Sequence, residues 1–259
     1  MKKILLITSL FCQFTSFSQE TTNQLKGYYI NNQVDDLYTE LHFLGNGHAL
    51  INNSYLSEYV QVDNQLYIFP DKGIFIFQIE DNKLKGINSW VEDTEFVLEQ
   101  TAEIENNVYV PNYTINPELL YQFYTLNYEI GTDQIKMSFL TDSEKYTEDI
   151  ENLCNQGLNT ACVVLFGTKF IEAQGGLNSL LSNNNPDFKA NSELEHIAQQ
   201  LIDSGDPRGY GLLGTYYLAI KDEVKGYEAL TKGMELGDLK SSNLLMELEL
   251  NQLESTSDY

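Results

Sequence analysis

The chain has 259 residues, 38 acidic against 15 basic side chains, and a formal charge of −23; Arg208 is its one arginine. Such a charge repels polyanions and leaves no basic face for phosphates, which excludes nucleic acid as a partner. Hydrophobic content of 42%, with 17 Tyr and 13 Phe, is enough for packed cores, so the acidity decorates a folded protein of one or two domains rather than a disordered tail.

Residues 1–18 read as an export signal. Met1-Lys2-Lys3 is a positive start, Ile4 to Phe11 an apolar run too short to span a bilayer, and Ser16-Phe17-Ser18 a small-x-small cleavage site. Cleavage before Gln19 removes Lys2 and Lys3 and takes the formal charge from −23 to −25. Cys12 does not make a lipobox, because Phe11 fills the place where a small residue is needed. No later run approaches the roughly 20 apolar residues of a membrane-spanning helix. The short lysine-led signal resembles a bacterial secretory one, which implies a periplasmic or secreted protein and leaves peripheral membrane association open.

From Leu25 to about Leu140 apolar residues alternate with period two. Strands are expected at Gly27–Ile30, Leu37–Phe43, Tyr59–Val62, Leu66–Phe69, Ile74–Ile79, Phe96–Leu98 and Phe123–Ile130. Turn residues separate them at Asn46-Gly47, Asp63-Asn64, Pro70 to Gly73 and Asp81-Asn82, with Asn46-Gly47 the clearest hairpin because both residues accept positive φ. Short strands at this spacing make an antiparallel meander, and protecting its edges calls for a small barrel or a curled sheet. Tyr28, Phe43, Tyr67, Phe69, Phe75 and Phe77 are expected to fill that barrel.

After Asp142 the period becomes helical. Tyr146, Ile150 and Leu153 form one stripe, Leu194 to Ile202 a second, Leu212 to Tyr217 a third, and Val224 to Met234 and Leu244 to Leu248 continue it. Gly157, Gly205-Asp206 and Gly237-Asp238 punctuate the stripes, with Pro207 placed to open a helix. The segment from Gly205 matches that from Gly237 at an offset of 32, and Asn159 to Gly167 matches again at about 47. The fold class is therefore α+β: a β-meander or small barrel, residues 19–141, followed by a short α/α solenoid, residues 142–259.

Two resemblances sharpen this. Gly27-Tyr28-Tyr29, Leu41-x-Phe43-x-x-Asn46-Gly47 and Asn82-x-Leu84-x-Gly86 resemble small exported bacterial lipocalin-like domains, which implies an up-and-down barrel, in some members with an apolar pocket. Leu213-Gly214-x-Tyr216-Tyr217 and Ala229-Leu230-x-Lys232-Gly233-x-Glu235-x-Gly237-Asp238 resemble a Sel-like repeat, the helix-pair relative of the tetratricopeptide repeat. Its small residues, here Gly211, Gly214, Ala229 and Gly233, let paired helices approach closely. Cys154 and Cys162 are similar to the bridged pairs of the cysteine-rich secreted branch, which implies a disulfide between them; they are also the cysteines left after cleavage. Members of that family are scaffolds that bind proteins, and some exported bacterial ones act as immunity or adaptor proteins.

Catalytic motifs are absent from the sequence: it holds no H-E-x-x-H, G-x-S-x-G, phosphate loop, C-x-x-C or S-x-x-K. His42 and His48 flank the Asn46-Gly47 turn, but a metal needs further ligands. His196 with Glu193 and Glu195 reads as a solvated helix face, and the acidic clusters lack the order of a calcium loop. The expectation is a non-enzymatic exported protein, without cofactor or metal, that binds another, basic protein as an inhibitor or immunity factor for an envelope-acting toxin or lipase. Tyr210, Tyr216, Tyr217 and Tyr227, all within eighteen residues, are the candidate anchors. The alternative is an envelope carrier holding a hydrophobic ligand in the β-domain.

Overall fold

The computed structural model describes residues 21–33, 36–70, 73–99, 111–176, 188 and 190–257. The expected signal, Cys12 included, lies outside the described residues. Nine strands are present among them: β1 (Thr21–Thr22), β2 (Lys26–Ile30), β3 (Glu40–Leu44), β4 (His48–Ile51), β5 (Tyr55–Val62), β6 (Gln65–Phe69), β7 (Phe75–Glu80), β8 (Lys83–Gly86) and β9 (Glu95–Glu99). From β2 to β9 each strand pairs antiparallel with its successor, and β9 pairs back with β2, closing an eight-strand up-and-down barrel. The eight-residue β5 pairs with β4 through its first half and with β6 through its second, where β1 also joins it. Closure leaves no long free edge to protect.

The two-residue turns use the side chains that tolerate positive φ, Asp63 (φ 53°) and Asp81 (φ 51°). The Asn46-Gly47 hairpin differs from expectation. Its loop is the triplet Gly45-Asn46-Gly47, and the left-handed positions are Gly45 (φ 77°) and Gly47 (φ 90°). Asn46 is left free to fasten the next segment: its Nδ2 donates to the carbonyls of Pro111 and Tyr113, and its own carbonyl accepts from the Ile115 amide.

Period-two alternation sends Tyr29, Leu41, Phe43, Tyr59, Leu66, Ile68, Phe75, Phe77 and Phe96 into the barrel, where rings meet edge to face, as between Phe43 and Tyr59 (5.0 Å) and between Phe77 and Phe96 (5.6 Å). Of the six aromatics expected to fill it, Phe43, Phe75 and Phe77 do so. Tyr28, Tyr67 and Phe69 have the opposite parity and stand on the outside: Tyr28 packs on His42, and Tyr67 and Phe69 lie beneath the first helix.

That helix is the principal correction. Phe123–Ile130, expected as a strand, falls in and just beyond α1 (Pro117–Asn127). Asn116 caps it by accepting from the amides of Glu118 and Leu119, Pro117 occupies the first turn, and Leu119, Leu120, Phe123 and Tyr124 share its buried face. Aromatic density imitated a strand, whereas cap, proline and spacing are those of a helix. The helical regime thus begins before Asp142.

Seven more helices are described: α2 (Ser138–Thr141), α3 (Ser143–Asn155), α4 (Asn159–Ala173), α5 (Ser192–Asp203), α6 (Arg208–Ala219), α7 (Glu223–Glu235) and α8 (Leu239–Ser257). Asp142 caps α3 through the Lys145 amide. The repeated Gly-Asp punctuation has one physical meaning at both sites. Gly205 (φ 84°) and Gly237 (φ 85°) turn the chain out of α5 and α7; the amides of Asp206 and Asp238 then bond back to Leu201 and Gly233. Each aspartate next caps the following helix, through the Arg208 and Ser241 amides respectively. Helix contact depends on the small residues: a Cβ on Gly214 would stand 2.6 Å from Leu230 Cγ, and one on Gly233 2.3 Å from Ser241 Oγ. Cys154 and Cys162 are joined by a disulfide across the α3–α4 turn, with Cα atoms 4.6 Å apart.

One core fills the barrel. A second begins on the barrel's outer face, at Val60, Val62, Tyr67, Ile74 and Ile76, and continues without a break through α1, α3, α4 and α5 to Tyr216 of α6. The barrel flank is therefore the floor on which the helices are laid.

Candidate functional site

Where that flank meets the helices a cleft of about 350 Å³ remains open. One wall is β4, β5 and the end of β6; the other is made by the starts of α4, α6 and α8, which the repeat stacks side by side. Equivalent positions of successive repeats, Asp206 with Asp238 and Arg208 with Lys240, thereby line a single cavity. A second hollow of about 310 Å³ shares Arg208, Asp238 and Lys240 and extends the cleft between α6 and α8.

The floor is a buried ion network around Arg208. Its Nε donates to both Asp206 oxygens (3.0 and 3.1 Å), Nη2 to Asp206 Oδ2 (2.6 Å) and Glu58 Oε1 (2.9 Å), and Nη1 to Thr160 Oγ1 (3.3 Å). Thr160 Oγ1 in turn donates to the other Glu58 oxygen, and the Tyr113 hydroxyl donates to Asp206 Oδ2 at 2.8 Å. The Asp206 side chain is 1% exposed and that of Glu58 10%. Burial pushes the Asp206 carboxyl up, but the Arg208 charge and the hydrogen bonds from Arg208 and Tyr113 prevail and hold it below the ordinary carboxylate range. Burial, reinforced by the Asp206 charge, drives the Tyr113 phenol far above its usual value, so it serves only as a donor. Two carboxylates and one guanidinium, with the Thr160 and Tyr113 hydroxyls, tie strand β5 to the starts of α4 and α6.

His48 is the unfinished part of this arrangement. It stands opposite Glu58 in the β4–β5 ladder, is 1% exposed, packs edge-on against the Tyr113 ring at 4.9 Å, and neither ring nitrogen has a hydrogen-bond partner. Burial lowers its pKa, the Glu58 charge opposing, so the ring is held neutral with one N–H and one lone pair. Apolar and aromatic side chains, Leu56, Phe69, Phe123, Tyr128 and Val164, complete the walls.

The residues singled out by sequence are placed differently. Tyr216 is 1% exposed and its hydroxyl accepts from the Asn191 amide, so it belongs to the core and is unavailable as a surface anchor. Tyr210, Tyr217 and Tyr227 are half-buried, with Lys225 5.1 Å above the Tyr217 ring; none of the four lines the cleft. His42 and His48 share the barrel's outer face, but each packs on a tyrosine, Tyr28 and Tyr113, rather than on a shared ligand. His196 lies on α5, outside the cleft. Among the described residues, no cluster of His, Cys, Asp and Glu is arranged to hold a metal, and no helix is long and apolar enough to cross a membrane. Reading the chain alone missed Glu58, Tyr113 and Thr160, weighed His48 only as a metal ligand beside His42, and took Asp206 only as helix punctuation. Two signals pointed toward them: the singularity of Arg208, and the repeated Gly-Asp step that sets Arg208 in line with Lys240.

A scan of protein-family models and searches of curated proteins and of solved structures each returned no match to this chain.

Proposed function

We propose that the protein is an exported, non-enzymatic binding module whose cleft between barrel and helices receives a segment of another protein, in the role of an inhibitor or immunity factor for an envelope-acting toxin or lipase. The observation that carries this reading is the cleft itself: aromatic walls over a buried, hydrogen-bonded ion network, held by rigid elements on both sides. Aromatic anchors over a fixed polar floor are the anatomy of an interface centre, and a preorganised site loses little entropy when it closes on its ligand. The inhibitor role rests on the Sel-like resemblance alone. A carrier function has less support, because the barrel interior is occupied by its own side chains.

The test compares the protein with Leu56→Arg and Val164→Arg, two half-buried wall positions, as baits for envelope extracts, followed by direct binding of each purified captured protein. A partner that binds the parent protein and loses at least tenfold in affinity to both folded variants supports the reading. Partners indifferent to both variants, or a lipid co-purifying in place of any protein, overturn it.

A further inference from the structure

We infer that the cleft is a subsite for a cationic side chain, an alkylguanidinium or alkylammonium group presented by the partner; this deepens the proposed binding role and rests on it. Three observations converge. First, His48 is buried, unpartnered at both nitrogens and set on the cleft wall. A neutral imidazole offers a lone pair to a donor, and a buried polar group without a partner is costly unless something completes it. Second, the charged groups lining the cleft and its extension are Glu58, Asp206, Asp238 and Glu247 against Arg208 and Lys240. Carboxylates are in excess, every guanidinium nitrogen of Arg208 is already bonded to Asp206, Glu58 or Thr160, and Asp206 and Asp238 already cap the helix starts that would otherwise attract an anion. Third, the aromatic residues Phe69, Tyr113, Phe123 and Tyr128 line the cleft, and aromatic faces attract cations most where water is excluded. A chain of formal charge −23 steers the same sign of ligand toward this mouth.

The placement assigns roles within the subsite. The apolar stem of the incoming side chain lies along Leu56 and Val164, its charged head reaches toward Glu58, and one of its N–H groups completes His48. An anion would meet Glu58 and Asp206, and a neutral alcohol would satisfy His48 but leave the charge excess unused.

The experiment titrates the oxidised protein with ethylguanidinium, n-butylammonium, n-butyrate and n-butanol, following the imidazole nitrogens of His48 by long-range proton–nitrogen correlation. The signals are assigned by their loss in His48→Gln. Saturable shifts with the two cations, at least tenfold weaker with butyrate and butanol, are expected. Glu58→Gln should weaken the cations at least fivefold and leave butanol unchanged; where that variant does not fold, Phe69→Leu, at a half-buried aromatic lining the cleft, should weaken the cations more than butanol. Butyrate binding as well as the cations assigns the site to anions and overturns the inference, as does equal binding of butanol. Absence of any response at His48 overturns it too. Cleft-dependent capture of a partner would survive that last result, so failure of the subsite and failure of the binding role are told apart.

Discussion

Arg208 illustrates how much one side chain can hold. Replacing it with Met leaves Glu58 and Asp206 buried with no counter-charge, and breaking a buried pair from one side costs about 3 kcal/mol or more. Urea unfolding should show that loss for Arg208→Met. Arg208→Lys should recover little of it, because a single ammonium cannot make the forked contacts to Asp206, Glu58 and Thr160 at once. His48 yields a pH prediction. Its folded pKa lies below its unfolded value of about 6.5, so between the two the unfolded chain binds more protons and stability falls with falling pH. The contribution is fully present above about pH 6.5 and is lost as pH drops toward the folded pKa. His42 acts in the same sense, also through burial. The check is therefore the difference between the parent and His48→Leu: its unfolding free energy should depend less steeply on pH between about 7 and 5. Asp206, likewise held low, adds a further loss only below about pH 4. At this scale the sequence showed which residues were rare, but not that β-ladder parity would place Glu58, with His48 beside it, opposite two helix starts 102 and 150 residues further along the chain.

Elements were legible where local signals agreed and misread where they conflicted. Strands β2, β3, β5, β6, β7 and β9 overlap the alternating runs, while β4 and β8 are four residues each and too short to declare a period. The Asn116-Pro117 start of α1 was outweighed by its aromatic content, since the rings of Tyr121 and Tyr124 are there to cover Tyr67 and Phe69, with Tyr128 stacked on Tyr124. Two glycines test the helix-packing account. Gly167, mid-helix in α4, would meet nothing within 4 Å on gaining a Cβ, so Gly167→Ala should stabilise by about 0.5–1 kcal/mol. Gly214→Ala should destabilise by about 1–3 kcal/mol, because Leu230 and the Gly226 carbonyl occupy the space. Opposite shifts in thermal midpoint would support the account; equal shifts would refute it. The Cys154–Cys162 bridge closes a loop of nine residues, for which chain entropy predicts about 2.6 kcal/mol of stabilisation. Unfolding of the oxidised protein against the Cys154→Ala/Cys162→Ala pair measures it.

At the scale of the molecule, the change of period near residue 141 marks a boundary in chain order, whereas the core runs across it, from Val60 and Ile76 on the barrel to Ile150, Leu165 and Leu201 in the helices. A shared core couples the stability of its two sides. The protein should therefore unfold in one transition. Trp90, the one tryptophan, packs over Gly73 on the barrel and reports that half, while far-ultraviolet dichroism reports the helices. Superimposable urea curves from the two probes are expected, and a displaced Trp90 curve would show that the halves fold independently.

What the sequence determined alone is what depends on near neighbours: strand alternation, turn residues that accept positive φ, helix caps and the Gly-Asp repeat. These signals sufficed for a barrel-like meander followed by helix pairs, because each is written within a few residues of where it acts. The cleft was decided by tertiary structure. Its walls come from β4, β5, α1, α4, α6 and α8, and they meet only after the barrel closes and presents one apolar flank to the helices. For the same reason Tyr67 and Phe69 left the barrel interior for the helical core and Tyr216 left the surface. A side chain's parity or stripe says which face it takes, and only the packing of remote elements says whether that face meets water, protein or an open site.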